Sequence, residues 1–402
     1  MSRRVLWVLG PGLMVMLADT DAGSIATAAQ SGARWGYRLL FLQLLLVPVL
    51  YVVMELTVRI GVTTGKGHAE LIREQFGGAW ALVSVGTLVV AAAGALVTEF
   101  AGIAGIARLF DIPAAAAVVP AAVFLVWLVV AGTYRRVEVV GVALGLFELA
   151  FVAAALLVHP HAAHVARGLS PVQPYGAPGY LPLVAANIGA VVMPWMVFYQ
   201  QGAVLNKGLR VRDLRIARLD TALGAVLTQV VMASVLIASA ATLHATGKPL
   251  VALGDLAAAL APAVGAPAAR IVLAAGVVGA ALVASIVVSL ALAWAVAEGC
   301  GRPRSLADTP RRAPLFYGIY AAAVTGGAAL VLFEHSLVRL AVHVEIVNAL
   351  LLPLVLGFLV ALAFRVLPHG YAPARRERFA LAGTVGAVVL LGLVSVAFAF
   401  GL

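Results

Sequence analysis

About eleven apolar runs, each near the ~20 residues that a helix needs to cross a bilayer, leave this chain little choice of fold. They cover residues 8–32, 37–62, 79–107, 113–133, 137–158, 181–204, 219–246, 266–299, 313–333, 337–364 and 379–401. Backbone groups in lipid must be satisfied within their own segment, so the runs read as helices and the chain as an all-α polytopic membrane protein. Its 63% hydrophobic and 11% charged content, with a mean hydropathy of +1.07, excludes an ordinary soluble domain. The start, MSRRVLWVLGPG, is basic then apolar. It has no small-residue cleavage site and Asp19 interrupts its apolar run, so it reads as a retained first span. The single cysteine, Cys300, rules out an intramolecular disulfide and a thiolate-cluster metal site, and reads as a passive residue near a helix end.

A net charge of +10 raises the question of nucleic acid, but the basic residues sit in short clusters between apolar runs, which is membrane topology. No nucleic-acid partner is expected, only the lipid bilayer. Placing the N-terminus in the cytoplasm puts 20 of the 27 Lys and Arg on that side. With eleven spans the C-terminus is then extracytoplasmic, in a multi-pass protein of the cell membrane. The connection from His159 to Tyr180 is rich in Pro, Gly and His and reads as an external loop between two halves. His159, His161 and His164 are read there as solvated, with a metal at the outer mouth as the alternative. The segment from Gly61 to Gly67 is one residue short of a phosphate-binding loop and has no Ser or Thr after Lys66. Gly10-Pro11-Gly12 has no preceding strand, so it is not a dinucleotide fingerprint.

The first run carries Asp19 and Asp21 at mid-membrane depth, followed by Ala22-Gly23-Ser24. Ionisable groups persist there mainly where they face a cavity or a bound ion, and a glycine just after them points to a broken helix with exposed backbone carbonyls. The sixth run carries Met193-Pro194, and a proline inside a helix frees carbonyls near Ala190. Interruptions in the first and sixth spans are what a five-plus-five inverted repeat predicts, with the site between the two breaks. The expected organisation is one transmembrane transporter domain, 1–402, with repeats at 8–158 and 181–364 and an eleventh helix at 379–401. Three more acids lie at depth. Glu99 and Glu55 are candidate proton-relay groups or structural partners, and Glu148 reads as structural. Glu345 and Asn348 share a helix face and can border the cavity.

At these residues the chain resembles the Nramp family of divalent metal transporters over nearly its whole length. Gly10-Pro11-Gly12-Leu13, Asp21-Ala22-Gly23-Ser24, Ala26-Thr27, Gly32 and Gly36-Tyr37 follow the family's first span and loop. Thr64-Gly65-Lys66 with Glu70, Glu99, Tyr134-Arg135 with Glu138, and the stretch from Ala190 to Pro194 match further on. The resemblance implies a LeuT-type fold with the metal between the first and sixth helices. It implies a carboxylate from Asp21, a backbone carbonyl from Ala190 and a thioether from Met193. Ser24 stands where the family has an Asn ligand, and Ala22 where it has proline. Trp195 and Gln200 replace two histidines, and Leu96 replaces an aspartate one turn before Glu99. Those positions belong to the family's proton route, so weak or absent proton coupling is implied. Asp19 and Glu345 add acids where the family is uncharged. One Nramp-related branch consists of magnesium transporters, but it gives up the methionine that Met193 retains.

A thioether favours Mn²⁺ or Fe²⁺ over Mg²⁺, whereas Asp19, Asp21, Ser24 and Glu345 make an oxygen-rich cavity suited to a partly hydrated hard ion. Met193 as a packing residue stays open. The ion is a substrate, imported by alternating access, and neither an enzyme activity nor a bound cofactor is expected. A LeuT-fold carrier of a cationic amine or amino acid is the alternative, and a non-transporting sensor or scaffold a third reading. The chain is expected to be monomeric.

Overall fold

The computed structural model describes residues 3–248, 250–332 and 337–399. Residues 1, 2, 249, 333–336 and 400–402, which include the end of the ninth run and the end of the eleventh, lie outside the described residues. In chain order the helices are α1 (Arg3–Val8), α2 (Pro11–Asp19), α3 (Ala22–Trp35), α4 (Leu40–Thr64), α5 (His68–Phe76), α6 (Gly78–Leu109), α7 (Ala114–Val130), α8 (Tyr134–Gly145), α9 (Leu149–Leu157) and α10 (Ala162–Gly168). They continue with α11 (Tyr180–Gly189), α12 (Pro194–Asn206), α13 (Leu214–Ser239), α14 (Leu253–Val264), α15 (Ala266–Gly299), α16 (Pro314–Val331), α17 (Leu337–Val366) and α18 (Arg375–Ala399). No strand occurs among the described residues.

Among those residues, eight helical stretches are long and apolar enough to cross a membrane. The first, Ala22–Thr64, has 43 residues, which at 1.5 Å each is about 65 Å, or twice a bilayer's apolar thickness. It turns back at a 3₁₀ corner, Gly36–Leu39, where Gly36 takes φ +59°. The two halves, α3 and α4, therefore serve different spans. α7 is a shorter apolar helix of 17 residues. Counting α2–α3, α8–α9 and α11–α12 as single interrupted spans, the order matches the eleven expected runs. The apolar runs did not separate α5, α10 and α14, the short helices of the connections.

The two interrupted spans form the centre. α2 and α3 pack against α13, α17 and α15, while α11 packs on α17 and α12 on α4 and α15. The start of α2 is built for this burial. Pro11 sits in its first turn, where no N–H partner is needed, and Asp220 of α13 accepts Gly12 N–H at 2.7 Å and Gly10 N–H at 3.1 Å. A carboxylate at a helix N-terminus satisfies orphan donors and complements the helix dipole, so a distant acid does what a local cap usually does.

Candidate metal site

α2 stops at Asp19, and Asp21 caps α3 with an extended backbone at φ −68°, ψ 174°. Asp21 Oδ1 accepts the Ser24 N–H at 2.6 Å. Backbone thus holds one carboxylate oxygen, while Oδ2 is buried with no partner in the protein. In the other break, α11 ends at Gly189 and Met193 is extended at φ −95°, ψ 143° before Pro194 opens α12. Met193 N–H faces Met196 Sδ at 3.5 Å. The two breaks touch, because Ser24 Oγ–H donates to the Ala190 carbonyl at 3.0 Å. Asp21, Ser24, Ala190 and Met193 are all buried.

Two glycines bring Glu345 of α17 to both breaks. A Cβ at Gly189 would run into the Glu345 carbonyl oxygen. One at Gly23 would lie 2.8 Å from Glu345 Oε1 and 3.3 Å from Asp21 Oδ1. Glu345 therefore stands between the broken helices, with Oε2 accepting Asn348 Nδ2–H at 2.8 Å, as their shared helix face predicts. Glu99 Oε2 accepts the Ala22 N–H at 3.1 Å, and Thr228 donates to Asp19 Oδ2 at 3.4 Å. Asp19, Asp21, Glu99 and Glu345 are close enough for their charges to repel.

Asp19 Oδ1, Asp21 Oδ2 and Glu99 Oε1 are buried acceptors without partners. Unpartnered buried carboxylate oxygens destabilise a fold unless a cation or proton joins them. Among the described residues no three His, Cys, Asp or Glu side chains converge closely enough to hold an ion alone. The groups linked through Ser24 are of mixed kind: the Asp21 carboxylate on its N–H, its own hydroxyl, and the Ala190 carbonyl that this hydroxyl bonds.

The structure sets Glu55 apart from this cluster. Its carboxylate pairs with Arg59 at 2.6 Å and with Arg218 at 2.7 Å, and Arg59 also reaches Glu377 at 3.3 Å. Two guanidinium partners compensate its charge. Glu148 is buried in the 3₁₀ turn between α8 and α9, and neither of its oxygens has a hydrogen-bond partner.

Several polar pairings escaped the sequence reading because the partners are distant in the chain. Lys207 Nζ bonds Glu138 at 2.7 Å and the Leu9 carbonyl at 2.7 Å, and Arg304 spans Glu70 at 2.9 Å and Glu298 at 3.1 Å. His68, on the connecting helix α5, lies 3.2 Å from Gln201 Oε1 through Nδ1. An amide oxygen only accepts, so Nδ1 carries the proton. Burial pushes this imidazole down to about 4, against the upward pull of the Gln201 hydrogen bond.

A family model described as natural resistance-associated macrophage protein-like (Nramp) matches residues 12–398. The chain belongs to the Nramp family. Among relatives, this Nramp chain is 31% identical over 258 residues to the divalent metal cation transporter MntH of Brucella suis, covering 61% of this chain and 56% of the relative. It thus spans a little over half the length of that relative. The MntH of Deinococcus radiodurans is 31% identical over 304 residues, covering 72% and 68%. Among solved structures, the manganese transporter of Eremococcus coleocola, crystallised with an aromatic bis-isothiourea compound, superposes with a TM-score of 0.81. At 20% identity, covering 98% of this chain and 86% of that one, it shows the fold, which is the expected LeuT type. Within the Nramp fold, Leu96, Trp195 and Gln200 are all buried. Gln200 Nε2–H donates to Thr221 Oγ1 at 3.5 Å, and the Trp195 Nε1–H has no partner.

Proposed function

We propose that this Nramp-family chain imports a divalent transition-metal ion, Mn²⁺ or Fe²⁺, through the cell membrane by alternating access, with weak or absent proton coupling. The contact between the two breaks supports the reading: Asp21 caps α3 through Ser24 N–H and Ser24 Oγ–H bonds the Ala190 carbonyl, so buried oxygens of three kinds lie on residues linked through Ser24. Metal transport also accords with the relatives, which are named as divalent metal cation or manganese transporters. Met193, at the second break, would supply the soft ligand that separates Mn²⁺ from Mg²⁺. The oxygen-rich cluster with Asp19 and Glu345 supports Mg²⁺ as the second reading. The absence of coupling rests on Leu96, Trp195 and Gln200, none of which titrates near neutral pH.

In this reading residues 8–158 and 181–364 are the two inverted repeats, 379–401 is the added helix, the N-terminus is cytoplasmic, the C-terminus is extracytoplasmic, and the chain works as a monomer. A cationic amine is the alternative cargo, and competition of amines with Mn²⁺ in one binding assay separates the two. The test is uptake into liposomes of Mn²⁺, Fe²⁺ and Mg²⁺, with a pH-sensitive dye inside and charge movement clamped. Mn²⁺ entry without acidification supports the proposal. Acidification that depends on the metal and vanishes in Asp21→Ala overturns the uncoupled mechanism. Mg²⁺ entry that excludes Mn²⁺ overturns the choice of ion.

A further inference from the structure

A cavity of about 870 Å³ opens at the far end of α3 from the ion site. The 14 residues of α3 separate the two by about 20 Å. Three elements wall it: the Gly36–Leu39 corner, α10, and the π-turn Ala240–His244 that closes α13. Its lining carries two guanidiniums, Arg38 and Arg167, and four imidazoles, His159, His161, His164 and His244, but no carboxylate.

The cavity is built by specific contacts. A Cβ at Gly168 would collide with the Tyr37 carbonyl, so α10 lies directly on the corner and carries Arg167 and His164 to it. The His164 ring is 6.3 Å from that of Tyr37 and 5.5 Å from that of His161. His244 is fixed by donating Nδ1–H to the Ala33 carbonyl at 3.1 Å. His159, also in the lining, holds φ +47°, a region that non-glycine residues rarely adopt.

A metal fits this site poorly. Among the described residues no three ligating side chains converge here, and the two guanidiniums of the lining repel a cation. A planar guanidinium instead matches a carboxylate edge to edge. The volume lies in the range of small-molecule pockets and far exceeds a simple inorganic ion. We propose that this cavity binds a small multivalent organic anion of the di- or tricarboxylate class, bridging Arg38 of the corner and Arg167 of α10.

The test is a calorimetric titration of the full chain, in nanodiscs of zwitterionic lipid and metal-free buffer, with citrate, succinate, acetate and inorganic phosphate at matched ionic strength. Saturable citrate binding, stronger than that of acetate or phosphate and weakened about tenfold by Arg38→Gln or Arg167→Gln, is expected, since a charge-assisted hydrogen bond contributes about 1.5 kcal/mol or more. Mn²⁺ binding measured without citrate stays unchanged in both variants. Both arginines are exposed and lie on separate segments, so failure of one variant to fold leaves the other as the test. Equal affinity for all four anions, or no effect in the variants, overturns the proposal. So does loss of citrate binding when anionic lipid is added to the nanodiscs, because a headgroup is then the occupant. Zn²⁺ binding that is lost in His164→Ala overturns it in favour of a metal.

Discussion

Asp21→Asn separates what the carboxylate does for the fold from what it does for an ion. In the folded chain Oδ1 caps α3 through Ser24 N–H at 2.6 Å, while Oδ2 has no partner. Asparagine keeps a capping oxygen, and it is among the best N-cap residues, so α3 should stay capped. It also removes one of four mutually repelling acids, so thermal stability should hold or rise. For the ion, one carboxylate charge at ~4 Å from a dication gains roughly 8 kcal/mol at an effective dielectric of ~20, before the lost hydration is subtracted. If only a third of that survives, the loss is about 100-fold in Kd. Asp21→Ala should lose the same affinity and, in addition, about 0.5–2 kcal/mol of stability with the cap. The assay is Mn²⁺ titration calorimetry on both variants in detergent, with thermal unfolding followed in parallel. A folded Asp21→Asn protein that binds Mn²⁺ within fivefold of the parent would refute the reasoning, because the carboxylate would then be structural only.

Met193→Ala should weaken Mn²⁺ and Cd²⁺ binding at least tenfold more than Mg²⁺, since only softer ions gain from a thioether; equal losses would make Met193 a packing residue. Gly189→Ala should cost about 1–3 kcal/mol, because the new methyl meets the Glu345 carbonyl. An unchanged unfolding temperature would contradict the close approach of α11 and α17. His68 stays neutral in the folded chain down to about pH 4, whereas the ordinary value is 6.5, so the unfolded chain binds the proton first. Stability should therefore fall as the pH drops from about 6.5 to about 4 and level off below, with about 2 kcal/mol lost by pH 5. His68→Leu should flatten that part of the curve, and an unaltered slope would assign it to other groups.

Both breaks were legible in the sequence because each is a local event: a buried acid followed by Gly23, and a proline after Met193. The helix order was legible because lipid demands long apolar runs. What stayed hidden was pairwise and distant. Nothing near Glu55 announces Arg218, which lies 163 residues on and pairs with it. Asp220, at the start of the 219–246 run, carries no local sign that its oxygens hold the first turn of α2. Glu345 was readable as a cavity acid only through Asn348. Its contact with both breaks depends on the missing side chains of Gly23 and Gly189, which no periodicity encodes. The short helices α5 and α10, of 9 and 7 residues, carry too few turns for a repeating pattern to register.

The hydrogen bond from Ser24 to the Ala190 carbonyl is also a latch between the two broken helices. Its two oxygens are 3.0 Å apart. Neighbouring ligands of an octahedral ion with bonds of ~2.1 Å are separated by about 3.0 Å, and equatorial neighbours of a pentagonal-bipyramidal calcium by about 2.8 Å, so the spacing suits either ion. Neither could take both oxygens until the hydroxyl proton swings out of the line between them, because a proton on that edge would lie against the dication. An ion bound there would replace the latch by its own bonds, and Ser24→Ala, which removes the hydroxyl, should weaken Mn²⁺ and Ca²⁺ binding alike.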